Sequence, residues 1–157
     1  MPADEGWRFL AAVKDLHTCE IVGWTMESRM TKTLVADALR TAFWRKKPKP
    51  GLTHYSDRGS PYCSSTYRAQ RASYGMTTSM SRHGNCWDNA PIESFFGTHK
   101  TERLHHYCFA TREQAEQVVF KYIEVFHNRI RRHSKIGNQI PADLVNQFYA
   151  GRKQSAA

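Results

Sequence analysis

The sequence predicts an α/β layered domain with a mixed sheet. Three observations carry that prediction. Short apolar runs of strand length are interleaved with longer stretches of helical period. Their order reads strand, strand, helix, strand, helix, strand, helix, helix. A chain of 157 residues with 40% hydrophobic content suits one domain with a core of its own.

Each element has a local cause. Trp7 to Val13 and Glu20 to Met26 are apolar runs of strand length, and Asp15-Leu16-His17-Thr18 between them has turn character, so a hairpin is expected. A helix follows from about Thr31, with Leu34, Val35, Ala38, Leu39 and Ala42 recurring on one face. Pro48 and Pro50 end it, and Gly51 opens the next turn. Leu52 to Ser56 reads as a short strand, Tyr62 to Tyr74 as a helix closed by Gly75, and Met76 to Met80 as another strand. Ser81 to Asn89 contains Gly84 and lacks an apolar period, so it reads as a mobile loop. A helix begins near Pro91, with Asn89 as its cap. Thr111 and Gln114 form a capping box for a last long helix, whose buried stripe is Ala115, Val118, Val119, Tyr122, Ile123 and Phe126. The single domain spans 1–148, and the polar tail over 149–157 is expected to fray.

The formal charge of +9 and pI of about 9.6 suit a polyanionic partner, nucleic acid foremost. A solvated basic surface is the plainer reading of charge alone. The basic residues group as Arg45-Lys46-Lys47 with Lys49, and as Arg129, Arg131 and Arg132. No apolar run approaches the ~18 residues of a membrane span. The start, Met1 to Glu5, has neither the basic segment nor the apolar stretch of a secretory signal, so a cytoplasmic location is expected. Cys19, Cys63, Cys86 and Cys108 form no CxxC pair and read as free thiols rather than zinc ligands.

Two carboxylates stand out. Asp57 ends a strand in His-Tyr-Ser-Asp-Arg-Gly-Ser, and strand ends in open α/β sheets are where ligand sites gather. Glu93 lies in the first turn of a helix, with 35 residues between the two. Two carboxylates brought together can hold Mg²⁺, which favours oxygen ligands. Singly, Asp57 before Arg58-Gly59 also suits a turn, and Glu93 also complements a helix dipole.

The segment His54-Tyr-Ser-Asp57-Arg-Gly-Ser-Pro-Tyr62 resembles the second-aspartate motif of the integrase-like insertion-sequence transposases. Ser79 to Lys100, with Asn-Ala-Pro-Ile-Glu93-Ser-Phe-Phe-Gly-Thr-His-Lys100 at its end, resembles their glutamate motif. Tyr122-Ile-Glu-Val-Phe-His-Asn-Arg-Ile-Arg-Arg-His133, followed by Pro141-Ala-Asp-Leu144, is similar to their C-terminal signature. The likeness runs from about Asp4 to Leu144, and three blocks in order are far more specific than one acid pair.

The resemblance implies a ribonuclease H-like fold and a triad of two aspartates and a glutamate that acts with Mg²⁺, Mn²⁺ being a substitute. Asp57 matches the second aspartate, Glu93 the glutamate, and Lys100 a basic residue two helical turns on, about 10 Å along the same face. Lys100 and Arg58 are expected to meet DNA, as are Asn85, Trp87, Asp88 and Asn89 in the loop and Arg129, Arg131 and Arg132 near the end. The first aspartate belongs to a strand preceding the segment that matches Asp4-Glu5-Gly6-Trp7, so that strand and its carboxylate are expected to be missing from these residues. Asp15 is expected to bond backbone near Thr18 rather than fill the slot. The resemblance thus implies a core for cutting and joining DNA in a nucleoid-associated bacterial protein, inactive as this segment alone. The alternative is a non-catalytic fragment that binds element ends or pairs with itself or a full-length transposase.

Overall fold

Alternation along a single strand sets the layering. In the computed structural model, which describes residues 1, 3–56, 59–80, 90–102 and 109–154, β1 (Phe9–Lys14) pairs antiparallel with β2 (Ile21–Glu27). This is the expected hairpin. Successive side chains of β1 point to opposite faces. Phe9, Ala11 and Val13 join one core cluster with Leu34, Leu39 and Tyr67. Leu10 and Ala12 join a second with Ile21, Phe95, Val119, Tyr122 and Ile123. Both faces of the hairpin are therefore covered. Trp7, expected inside the first strand, precedes it and is 60% exposed.

Helix α1 (Lys32–Lys46) starts where Thr31 accepts a hydrogen bond from the Leu34 N–H at 3.2 Å, and it buries Leu34, Val35, Ala38, Leu39 and Ala42 as its period predicts. It ends at Lys47, whose left-handed backbone (φ 44°) turns the chain before Pro48 can continue it. Gly23 of β2 lies so close beneath α1 that an added Cβ would meet the Ala38 carbonyl oxygen at 2.4 Å.

Strands β3 (Thr53–Ser56) and β4 (Thr77–Met80) pair in parallel, joined by helix α2 (Ser65–Ser73), which leans on α1 through Gln70 Nε2 donating to the Ala36 carbonyl. One antiparallel and one parallel ladder give the mixed character expected. No ladder joins the two pairs among the described residues. Tyr62, placed within the second helix by its sequence, instead belongs to a turn that bonds back to Gly59.

Helix α3 is Ala90–Glu102 and helix α4 is Arg112–Phe120, the latter opened by the predicted Thr111–Gln114 capping box. The expected single long helix does not continue in α form. Lys121–His127 is a π-helix, with the Asn128 N–H bonding to the Ile123 carbonyl. The burial pattern gives the reason: Tyr122 and His127 are both buried, as are Ile123 and Asn128. Residues five apart diverge by about 140° on an α-helix, whereas i→i+5 bonding brings them to one face. After a 3₁₀ turn (Ser134–Ile136), helix α5 (Pro141–Gln154) runs past Phe148, where fraying was expected. Pro141 at its start and Asp143 in its first turn favour that helix, and the Phe148 ring lies edge-on to His17.

Candidate active site

Glu93 sits in the first turn of α3, exposed, and its carboxylate has no hydrogen-bond or ion-pair partner among the described residues. The helix beneath it is fixed. Phe95 is 2% exposed, packs against Ile21, Val119, Tyr122 and Ile123, and meets the His127 ring edge-on with centroids 5.1 Å apart. At the start of the helix, Lys14 Nζ donates to the Pro91 carbonyl at 3.2 Å. Lys100 belongs to the same helix, with its side chain outside the described residues. So are Asp57 and Arg58, and the loop residues Asn85, Trp87, Asp88 and Asn89.

The strand that leads to Asp57 is described up to Ser56. Its His54 Nε2 lies 2.7 Å from the Tyr67 hydroxyl, and burial, reinforced by the nearby Arg71 guanidinium, lowers the His54 pKa to about 4. This histidine is neutral at pH 7. Ser56 at the strand end is buried, and so is Arg71.

The C-terminal signature divides into two roles. Its His and Asn side chains turn inward, a role that sequence reasoning missed. His127 Nε2 lies 3.1 Å from the Cys19 carbonyl, and Asn128 bonds the backbone of Ile21. Burial holds the His127 pKa down to about 3, with the His133, Lys14 and Arg131 charges adding to the effect against the Cys19 bond. The stronger signal available was the five-residue offset between Tyr122-Ile123 and His127-Asn128. The arginines differ among themselves: Arg129 and Arg132 are exposed, whereas Arg131 is half-buried with Nη1 3.4 Å from His133 Nδ1.

The other basic group is partly neutralised. Arg45 makes a two-point contact with Glu124, at 2.8 and 3.3 Å, and Lys46 pairs with Glu20. Lys47 and Lys49, both exposed, remain as its outward charges. Asp15, as expected, accepts from the backbone N–H groups of His17 (2.8 Å) and Thr18 (3.4 Å), which is a turn role.

Residues 1–86 match the integrase core domain family, and residues 93–147 match a second integrase core domain family. The chain belongs to the integrase core family. This integrase core is 52% identical over 145 residues to the 31 kDa protein of insertion element IS600 from Shigella sonnei. It is 45% identical over 147 residues to the transposase InsF for insertion sequence IS3fB from Escherichia coli K12. These alignments cover 92% and 94% of the chain and 53% and 51% of the relatives, so the chain spans about half their length. Among solved structures, the catalytic core domain of BIV integrase aligns at TM-score 0.67 and 17% identity, over 94% of this chain and 93% of that one. The simian T-cell lymphotropic virus intasome in complex with a PP2A regulatory subunit aligns at TM-score 0.68 and 13% identity, over 85% of this chain and 46% of that one. At these identities the likeness concerns the fold, which is ribonuclease H-like as the three sequence blocks implied. No helix among the described residues is long and apolar enough to cross a membrane.

Proposed function

We propose that this integrase core serves DNA transposition by metal-dependent strand cleavage and strand transfer, with Asp57 and Glu93 as metal ligands. The observation that carries the reading is Glu93 itself: an exposed carboxylate, without a partner among the described residues, at the start of a helix whose Phe95 is buried. Glu124 and Glu20, by contrast, are paired with Arg45 and Lys46. An oxygen donor of this kind fits Mg²⁺ or Mn²⁺, although no three His, Cys, Asp or Glu side chains converge on a metal position among the described residues. When bound, the metal ions supply charge stabilisation to the attacking and leaving oxygens of phosphoryl transfer. Lys100, Arg58 and the loop residues Asn85, Trp87 and Asn89 then contact DNA, with Arg129, Arg131 and Arg132 extending the basic surface.

These residues offer matches for two of the three carboxylates that the family resemblance implies. Strand transfer is expected to need the third, from a strand ahead of Asp4. Titration calorimetry with Mn²⁺ on the parent chain, Asp57→Asn and Glu93→Gln tests the ligand assignment: weak binding in the parent should vanish in both variants. Unchanged binding in Glu93→Gln would reduce Glu93 to a helix-end acid. Strand-transfer assays with an added N-terminal strand, carrying aspartate or asparagine, test the third position. A second reading, a non-catalytic segment that pairs with another transposase copy, draws support from α4 and the π-helix, where Phe120 and Val125 are 52% and 46% exposed.

A further inference from the structure

Lys14 ends β1 on the face that Leu10 and Ala12 line, at the point where the hairpin register shifts between Val13 and Lys14. Such bulges re-aim the side chain beside them. Here the ammonium reaches the Pro91 carbonyl at 3.2 Å, across 77 residues of sequence. Pro91 lies in the first turn of α3, two residues before Glu93.

The placement is unfavourable on other grounds. Burial lowers the Lys14 pKa, and the Lys135 and Arg131 charges act in the same direction. A cation near a helix N-terminus also opposes the helix dipole. An alkyl side chain would continue the Leu10–Ala12 face without either cost. What the ammonium adds is a donor aimed at one carbonyl.

We propose that Lys14 is a positioning residue, which ties the first turn of α3 to the end of β1 and so fixes where the Glu93 carboxylate stands. The tie complements the apolar contacts of Ile92, Phe95 and Phe96, which pack α3 on the second core cluster. Such contacts are non-directional and let a helix slide or roll slightly; a hydrogen bond at Pro91 fixes the first turn, and Glu93 lies between Pro91 and Phe95 in sequence. The consequence for metal binding rests on the reading of Glu93 as a ligand, whereas the tie itself does not.

The test compares the parent chain with Lys14→Met, which keeps the alkyl length without the donor, and Lys14→Arg, which keeps a donor. Hydrogen–deuterium exchange is followed in α3, with α1 as the internal control, alongside Mn²⁺ calorimetry. Loss of a hydrogen bond from a charged donor should speed exchange at the first intrahelically bonded amides of α3, Ser94 and Phe95, by about tenfold or more. Mn²⁺ binding should weaken several-fold, α1 should be unchanged, and Lys14→Arg should restore both readouts. Unchanged exchange in α3, or equal acceleration in α1, would overturn the assignment. Should Lys14→Met fail to fold, Lys14→Ala, which has no donor and cannot reach Pro91, serves the same comparison. Absence of Mn²⁺ binding by the parent chain would overturn the metal reading, and the exchange measurement would still decide the role of Lys14.

Discussion

Asn128 grips the backbone of Ile21 at two points: its Oδ1 accepts from the N–H at 2.9 Å, and its Nδ2 donates to the carbonyl at 3.0 Å. A side-chain amide thus serves β2 as a neighbouring strand would. Both residues are buried, so truncation leaves a donor and an acceptor without water. Asn128→Ala is expected to lower stability by about 2–4 kcal/mol, read from urea unfolding. A loss within error of zero would show that the bond is replaced rather than broken.

Acid should unfold the domain through its buried histidines. The His127 and His54 pKa values fall to about 3 and about 4, below the ordinary 6.5. Between those values and 6.5 the unfolded chain binds protons that the folded chain refuses, so stability is fully present above pH 6.5 and declines as pH falls. The slope is at most about 1.4 kcal/mol per pH unit for each histidine. Melting temperature measured from pH 7 to pH 4 checks this, and His127→Gln should flatten the profile. A flat profile in the parent would mean that both rings stay accessible to protons.

Two glycines make opposite predictions for the same substitution. A Cβ on Gly23 would meet the Ala38 carbonyl oxygen at 2.4 Å and the Ala42 nitrogen at 2.5 Å, both backbone atoms of α1. Gly23→Ala must push the helix from the hairpin and is expected to cost about 1–3 kcal/mol or more. A Cβ on Gly97 in α3 would meet nothing within 4 Å among the described residues, so Gly97→Ala should stabilise by about 0.5–1 kcal/mol through helix propensity. Thermal melts of the two variants should shift in opposite directions.

DNA affinity should distinguish free from paired cations. Duplex binding is expected to weaken steeply with salt, because each neutralised phosphate releases counterions. Arg129→Ala and Arg132→Ala, which remove exposed charges, should each reduce the salt slope by about one. Arg45→Ala should leave the slope nearly unchanged, since its guanidinium is already held by Glu124. Fluorescence anisotropy at several salt concentrations provides the comparison. A salt-independent affinity would count against phosphate contacts altogether.

Much of this was legible because local chemistry and global packing agree. The β1–β2 hairpin, the helix start near Thr31 and the Thr111–Gln114 box depend on residues close in sequence; the helix start and the box appear where expected, and β1 begins two residues after Trp7. The π-helix was not legible from a helical period of 3.6. It depends on the distant hairpin, which draws His127 and Asn128 inward with Tyr122 and Ile123. The pairing of Arg45 and Lys46 was hidden likewise: a run of basic residues reads as a surface until Glu124 and Glu20 are brought beside it. At the candidate site, a short strand ending at Ser56 and a helix with Glu93 in its first turn were readable. The tether from Lys14 to Pro91 was not, because a lysine at a strand end carries no sign of a partner 77 residues away.

The distance between Ile21 and Asn128 also has a meaning in time. The hairpin and α1 are contiguous in the chain and pack closely, so their mutual contacts can form as soon as Lys46 has emerged from the ribosome. Asn128 follows Ile21 by 107 residues, which at 5–20 residues per second is an interval of roughly 5–20 s. Throughout it, the Ile21 N–H and carbonyl must be served by water or by another nascent chain. Crowded polysomes translating this sequence would therefore be the setting in which misassociation begins, and slowing synthesis between α1 and α4 would lengthen the exposure.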